Sequence, residues 1–169
     1  VTIEDDDLPL QSSEPDMSIG SSGAPEGNSN PGNPVSWFST DGARIVDETG
    51  TEVRLTGVNW FGAETTRGAP DGLHSRNLQD MMEQISDLGF NTIRLPFSND
   101  ALRSDAMPTG INYHLNSDLM GMTSLEIIDE VVSYASEICL RIILDNHRNA
   151  AGDGASSNGL WYGEGYSQA

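Results

Sequence analysis

Apolar residues recur along this chain with two periods, and the switches between them mark out its elements. Leu78, Met81, Met82, Ile85 and Leu88 fall three and four apart, the spacing of one helix face. Ser75 is placed to cap that helix, and Gly89 to occupy the position just past its end. A second helical pattern puts Leu125, Ile128, Val131, Val132, Ala135 and Ile138 on one broad face. It opens with Thr123-x-x-Glu126, a capping box in which Thr and Glu exchange hydrogen bonds with the first-turn backbone. Between these lie short β-compatible stretches: Val53 to Asn59, Thr92 to Leu95 and Arg141 to His147. Pro96, having no N–H to donate, is expected to stop the second ladder, and Gly57 to mark a close backbone approach. Upstream, Trp37 to Thr40 and Arg44 to Asp47 flank Asp41-Gly42 and predict a hairpin.

The order is therefore a hairpin followed by strands alternating with helices, which implies parallel strands joined by right-handed crossovers. The loops after the strands (60–74, 97–122 and 149–165) are long, whereas the helix-to-strand connections are only a few residues. That asymmetry places function at the carboxyl ends of the strands, as in a (β/α)8 TIM barrel. The fold expected is α/β: an incomplete barrel with the N-terminal hairpin and the first three βα units. A doubly wound sheet obeys the same rule and is the alternative. No G-x-G-x-x-G or P-loop follows any strand, which argues against a nucleotide site.

Composition adds a boundary and a constraint. Residues 1–34 read as an acidic, Gly/Ser/Pro-rich tail or linker without Arg, expected to be disordered, and 35–169 as the folded part. At 169 residues there is room for one domain. The net charge is −18, and every basic residue is Arg. Such an excess of acid argues against nucleic acid and anionic membrane as partners, since both demand basic patches. An acidic chain without Lys resembles the proteins of salt-loving organisms, in which salt screens self-repulsion; high salt is then expected to stabilise the fold and dilution to loosen it. The alternative is a merely acidic protein. No apolar run approaches the ~20 residues of a membrane span. Cys139, the single cysteine, lies between Ile138 and Leu140 and reads as a small core residue.

The chemistry-bearing residues converge at strand ends. Asn59-Trp60 ends the first parallel strand, Arg94 lies near the end of the second, and Asp145-Asn146-His147-Arg148 ends the third. Alternation puts Ile143, Asp145 and His147 on one face, and Thr92 and Arg94 on one face of their own strand. An Arg in an apolar strand demands a carboxylate or another acceptor, either as a structural ion pair or as part of a polar site. His74 and His114 lie in loops without ligand spacing, so a metal is not expected. There is no G-x-S-x-G nucleophile elbow. Trp60, Trp161 and Tyr162 suit either core lids or stacking against sugar faces.

From Val35 onward the chain resembles the amino-terminal part of a glycoside hydrolase family 5 cellulase of the endo-β-1,4-glucanase type. The resemblance rests on the Trp37 hairpin, Leu55-Thr-Gly-Val-Asn-Trp-Phe-Gly62, Gly89-Phe-Asn-Thr-Ile-Arg-Leu-Pro-Phe-Ser98, Asn116 to Leu125 and Leu140-Arg-Ile-Ile-Leu-Asp-x-His-Arg148, in that order. It implies an extracellular, cofactor-free, retaining hydrolase of β-glucan, monomeric at full length, with one glutamate as acid/base and one as nucleophile on barrel strands four and seven. It implies that Arg94 stands beside the nucleophile and keeps it ionised, that His147 lies in the substrate site near the cleavage point, and that Asn59, Trp60, Asp145, Trp161 and Tyr162 line that site. Neither catalytic glutamate has a counterpart here: Glu83, Glu126, Glu130 and Glu137 fall in helices, and Glu64 and Glu164 in loops. Three strands of eight cannot close a barrel, so the 169 residues alone are expected to be inactive or poorly folded. A non-catalytic glucan-binding product and a fragment of a related barrel glycosidase, such as a mannanase, are the alternatives.

Overall fold

The computed structural model describes residues 37–154. An antiparallel hairpin of β1 (Ser39–Asp41) and β2 (Arg44–Val46) precedes a parallel sheet ordered β3 (Gly57–Asn59), β4 (Thr92–Ser98), β5 (Arg141–Arg148). Helix α1 (Leu78–Asp87) connects β3 to β4, and α2 (Ser124–Glu137) connects β4 to β5. The hairpin loop is Gly42-Ala43 rather than Asp41-Gly42, because Asp41 pairs with Arg44. Gly42, at φ 61, fills the first loop position, where a left-handed residue matches the strand twist.

The stretch from Val53 to Asn59 does not form one strand. Glu52 bridges Val46, and the Val53 N–H donates to the Ile45 carbonyl, so its start extends the hairpin. Only Gly57–Asn59 joins the parallel sheet, in register with Thr92, Ile93 and Arg94. A Cβ on Gly57 would stand 3.1 Å from the Thr92 carbonyl oxygen, the close approach expected of this glycine.

Pro96 does not end β4. In a parallel ladder each residue bonds through both backbone groups to one neighbour, and alternate residues serve opposite sides. Arg94 serves β3, as its carbonyl accepts from the Trp60 N–H at 3.0 Å. Pro96 faces the same side, beyond the end of β3, where its missing N–H costs no ladder bond. Leu95 and Phe97 carry the pairing with β5 onward to Ser98.

Both helices end alike. Past α1, the Gly89 N–H donates to Ser86 and the Phe90 N–H to Ile85; past α2, Cys139 donates to Ser136 and Leu140 to Ala135. This closure demands a left-handed residue, supplied by Gly89 (φ 85) and by Cys139 (φ 59). Cys139 is consequently exposed rather than a core residue, and Leu140 is the one buried. At the α1 start the cap is Asn77, not Ser75: its side chain accepts from the Asp80 N–H at 3.1 Å, while the Ser75 hydroxyl donates to the Gly72 carbonyl. The Thr123–Glu126 capping box forms as expected, with Thr123 N–H to Glu126 at 2.7 Å and the return bond at 3.3 Å.

The core packs Leu78 and Met82 of α1 and Ile127, Ile128, Val131 and Ala135 of α2 against Ile93 and Leu95 of β4. Leu125 and Val132, assigned to that face by spacing, are exposed, and Ile127 takes their place. The β4–α2 loop is pinned by fully buried Asn116. Its amide donates to the carbonyls of Leu73, Arg76 and Asn112, and its oxygen accepts the Leu78 N–H at 2.8 Å. One side chain thus ties two loops to the start of α1. By contrast, the buried Ser124 hydroxyl has no hydrogen-bond partner among the described residues.

Asn116→Ala is expected to cost about 2–4 kcal/mol by leaving buried donors and acceptors unpaired, whereas Ser124→Ala is expected to be neutral or stabilising. Chemical unfolding of the two variants checks the contrast. Tyr134 donates to Glu83 at 2.7 Å between the helices, and this bond, with burial and nearby carboxylates, pushes the phenol up to about 12 from its ordinary 10.0. Because the neutral phenol is the form favoured by folding, its contribution is present below pH 10.0 and lost as pH rises through about 12. Alkaline melting of Tyr134→Phe beside the parent should show that component missing from the variant.

Candidate active site

The pairing register delivers four polar side chains to one patch. Asn59 lies directly beside Arg94, and Arg94 beside Ile143, so Asp145, two residues further along β5, shares the face of Arg94. The Arg94 guanidinium donates to Asp145 Oδ2 at 2.5 Å and to Asn59 Oδ1 at 3.3 Å. His147 Nδ1 stands 2.9 Å from the same Oδ2 and 3.3 Å from Arg94 Nη2. All three charged or titratable side chains are partly open to solvent, at 38% for Arg94, 26% for Asp145 and 44% for His147.

A β-bulge shapes the end of this patch. Phe97 pairs with Asn146 but Ser98 pairs with Arg148, so the register skips His147. An extra residue at a strand end re-aims its side chain, and bulges gather beside functional sites for that reason. No spacing signal in the sequence marks it.

The loops around the patch are tied down from below. Arg148 donates to the carbonyls of Ala150 at 2.6 Å and Gly152 at 2.7 Å, and so folds the β5 loop back on its own strand. Asn146 donates to Asn99, and Asn99 to Asn149, which links the β4 and β5 loops. The Ala151 N–H donates to Asp100 at 2.7 Å and the Gly152 N–H to the Glu64 carbonyl at 3.2 Å, which brings in the β3 loop as well. These contacts, unlike the strand-end cluster, were not anticipated, since backbone-directed bonds leave no pattern in residue spacing.

Of the expected site residues, Asn59, Arg94, Asp145 and His147 come together. Trp60 does not join them. It is 6% exposed, packs in the core, and donates its indole N–H to the Asp71 carbonyl at 2.8 Å, so its ring is not free to stack on a sugar. The chain turns inward at this point because the β3 strand ends one residue earlier and its loop folds back over the core. Trp161 and Tyr162 lie outside the described residues. Glu64 is committed locally, its carboxylate accepting the Gly62 N–H at 2.6 Å. Among the described residues no three His, Cys, Asp or Glu side chains gather into a metal-binding group.

A family model described as Cellulase (glycosyl hydrolase family 5) matches residues 46–169. An endoglucanase from Paenibacillus polymyxa is 41% identical over 133 residues, covering 79% of this chain and 33% of that protein. The major extracellular endoglucanase of Xanthomonas campestris is 43% identical over 137 residues, covering 80% of this chain and 28% of that protein. The catalytic domain of the Xanthomonas enzyme superposes with a TM-score of 0.69 at 42% identity, covering 78% of this chain and 37% of that one. An endocellulase from Pyrococcus horikoshii, in complex with cellotetraose, superposes with a TM-score of 0.69 at 38% identity, covering 78% and 36%. The chain thus spans about a third of the length of these relatives.

Trp60→Phe keeps the apolar bulk and removes the indole bond. It is expected to lower stability by about 1–2 kcal/mol through the orphaned Asp71 carbonyl, read by thermal unfolding.

Proposed function

The chain belongs to glycosyl hydrolase family 5, its three parallel strands forming part of a (β/α)8 barrel, and on that premise we propose that it serves the retaining hydrolysis of β-1,4-linked glucan. The observation that carries the reading is the Arg94–Asp145–His147–Asn59 cluster at the carboxyl ends of adjacent parallel strands. Sites of this fold are built there. Cellotetraose, bound by the Pyrococcus relative, is the kind of ligand this patch would face.

In this reading β3, β4 and β5 are the first three barrel strands, and the acid/base and nucleophilic glutamates belong to strands four and seven. Arg94 holds the nucleophile ionised, since a guanidinium with five donors retains N–H groups beyond those given to Asp145 and Asn59. His147 and Asn59 present polar atoms to sugar hydroxyls near the cleavage point, and Trp161 and Tyr162 contribute rings to the same site. The glutamates of this chain do not replace the catalytic pair: Glu83 and Glu126 are engaged on the helices, and Glu64 in its own loop. Secretion accords with the extracellular Xanthomonas relative, and salt adaptation with a net charge of −18 without Lys. Glucan is the partner; nucleic acid and anionic membranes are repelled, and the complete barrel acts as a monomer. Residues 1–34 act as an acidic spacer.

A second reading, a non-catalytic glucan binder, draws on the exposure of Ile143 and Leu144 on β5, which leaves apolar surface beside the polar cluster. Cellulose pull-down with circular dichroism across salt separates it from the first.

Assayed in high salt on soluble cellulose, a barrel carrying this segment with strands four and seven should release reducing ends, and the 169-residue polypeptide alone should not. Release from mannan but not from β-glucan would move the substrate assignment. In the active barrel Arg94→Lys should reduce kcat/KM on the order of 10²-fold or more with the fold retained, because a single ammonium cannot hold two strand ends and the nucleophile together.

A further inference from the structure

We propose that Asp145 is a positioning residue that holds His147 as its Nδ1–H tautomer, leaving the Nε2 lone pair to accept a hydrogen bond from a sugar hydroxyl. The tautomer follows from the geometry alone; the sugar hydroxyl rests on the glycosidase reading above. His147 Nδ1 lies 2.9 Å from Asp145 Oδ2 and 3.3 Å from Arg94 Nη2. Arg94 has donors only and Asp145, ionised against it, has acceptors only. A bare Nδ1 would set its lone pair against a carboxylate oxygen at hydrogen-bond distance. A protonated Nδ1 donates to that oxygen instead, and the longer contact with Arg94 becomes a neighbour rather than a bond. The shorter distance therefore decides the tautomer.

The remaining ring nitrogen is then an acceptor. Among the described residues Nε2 has no hydrogen-bond partner, and the side chain is 44% exposed, so the lone pair is available to a ligand. Arg94 is held by the same Oδ2 at 2.5 Å, so one carboxylate oxygen orients both the cation and the imidazole. The register of β4 with β5 skips His147 at this same point, so the ring stands where the ladder is interrupted. The neutral histidine side chain in water favours the opposite, Nε2–H form, so the tautomer is imposed by this arrangement and depends on Asp145.

The test is a long-range ¹H–¹⁵N correlation spectrum, at about pH 9 where imidazoles are neutral, of the complete barrel carrying this segment with strands four and seven. His147→Gln identifies the resonances of this ring by their disappearance. The expected result is a pyrrole-type Nδ1 and a pyridine-type Nε2 at His147. Asp145→Ala, with folding confirmed by circular dichroism, should shift His147 toward the Nε2–H form, and Asp145→Asn, whose amide oxygen can still accept, should restore Nδ1–H. An Nε2–H ring in the parent overturns the proposal, as does a folded Asp145→Ala that keeps Nδ1–H. Should Asp145→Ala fail to fold, the parent spectrum alone decides. Cellotetraose should move the Nε2 resonance in the parent. A spectrum that shows the expected tautomer but does not respond to cellotetraose overturns the sugar contact and leaves the role of Asp145 standing.

Discussion

A guanidinium on the face of a sheet has to be matched by an anion, and the bond between Arg94 and Asp145 is the constraint on which the arrangement of β3, β4 and β5 depends. It requires that β5 lie in parallel with β4 at a register that places Asp145 two residues beyond the partner of Arg94. It also requires that β3 end beside Arg94, where the Asn59 oxygen accepts from the guanidinium. A slip of one residue in either pairing would turn Asp145 or Asn59 to the opposite face, against the packed helices. The apolar residues impose the same register independently, because Ile93 and Leu95 must face α1 and α2 while Arg94 faces away. Packing and electrostatics therefore select one alignment, and the polar patch is a consequence of the core as much as of its own bonds.

Most of this is legible in the amino-acid sequence. Strand alternation puts Arg94 and Asp145 on the appropriate faces, and the long loops after strands locate the functional end. What was not legible shares a physical character. Trp60 was expected at the sugar site because flat rings suit sugars, yet whether an aromatic stacks outward or packs inward depends on where the strand stops. Here β3 stops one residue before it, and the core with the Asp71 carbonyl takes the ring. Cys139 was expected in the core from its apolar neighbours. The left-handed position after α2 overrides hydropathy and leaves the thiol in solvent. Leu125 and Val132 satisfy helical periodicity as well as Ile127 does, and only the direction from which β4 approaches α2 decides between them. Pro96 was expected to close β4, because the side of the ladder that each residue serves is a tertiary fact. Asn116 carries the largest share of buried polar bonding in the long loop, but a lone Asn in a loop has no periodic neighbours to announce it.

The same contacts argue that Asp145 is not itself the catalytic carboxylate. A nucleophile or general acid needs an oxygen free to meet substrate and a proton inventory that can change during the reaction. Oδ2 of Asp145 faces both the Arg94 guanidinium and the His147 ring, at 2.5 and 2.9 Å. Attack through either oxygen would esterify the carboxylate, remove its charge and so weaken both bonds. The cluster is instead suited to hold its members still. Arg94 is accordingly the member that ties the three strands together, bonded to an amide on β3 and a carboxylate on β5 from its own place on β4.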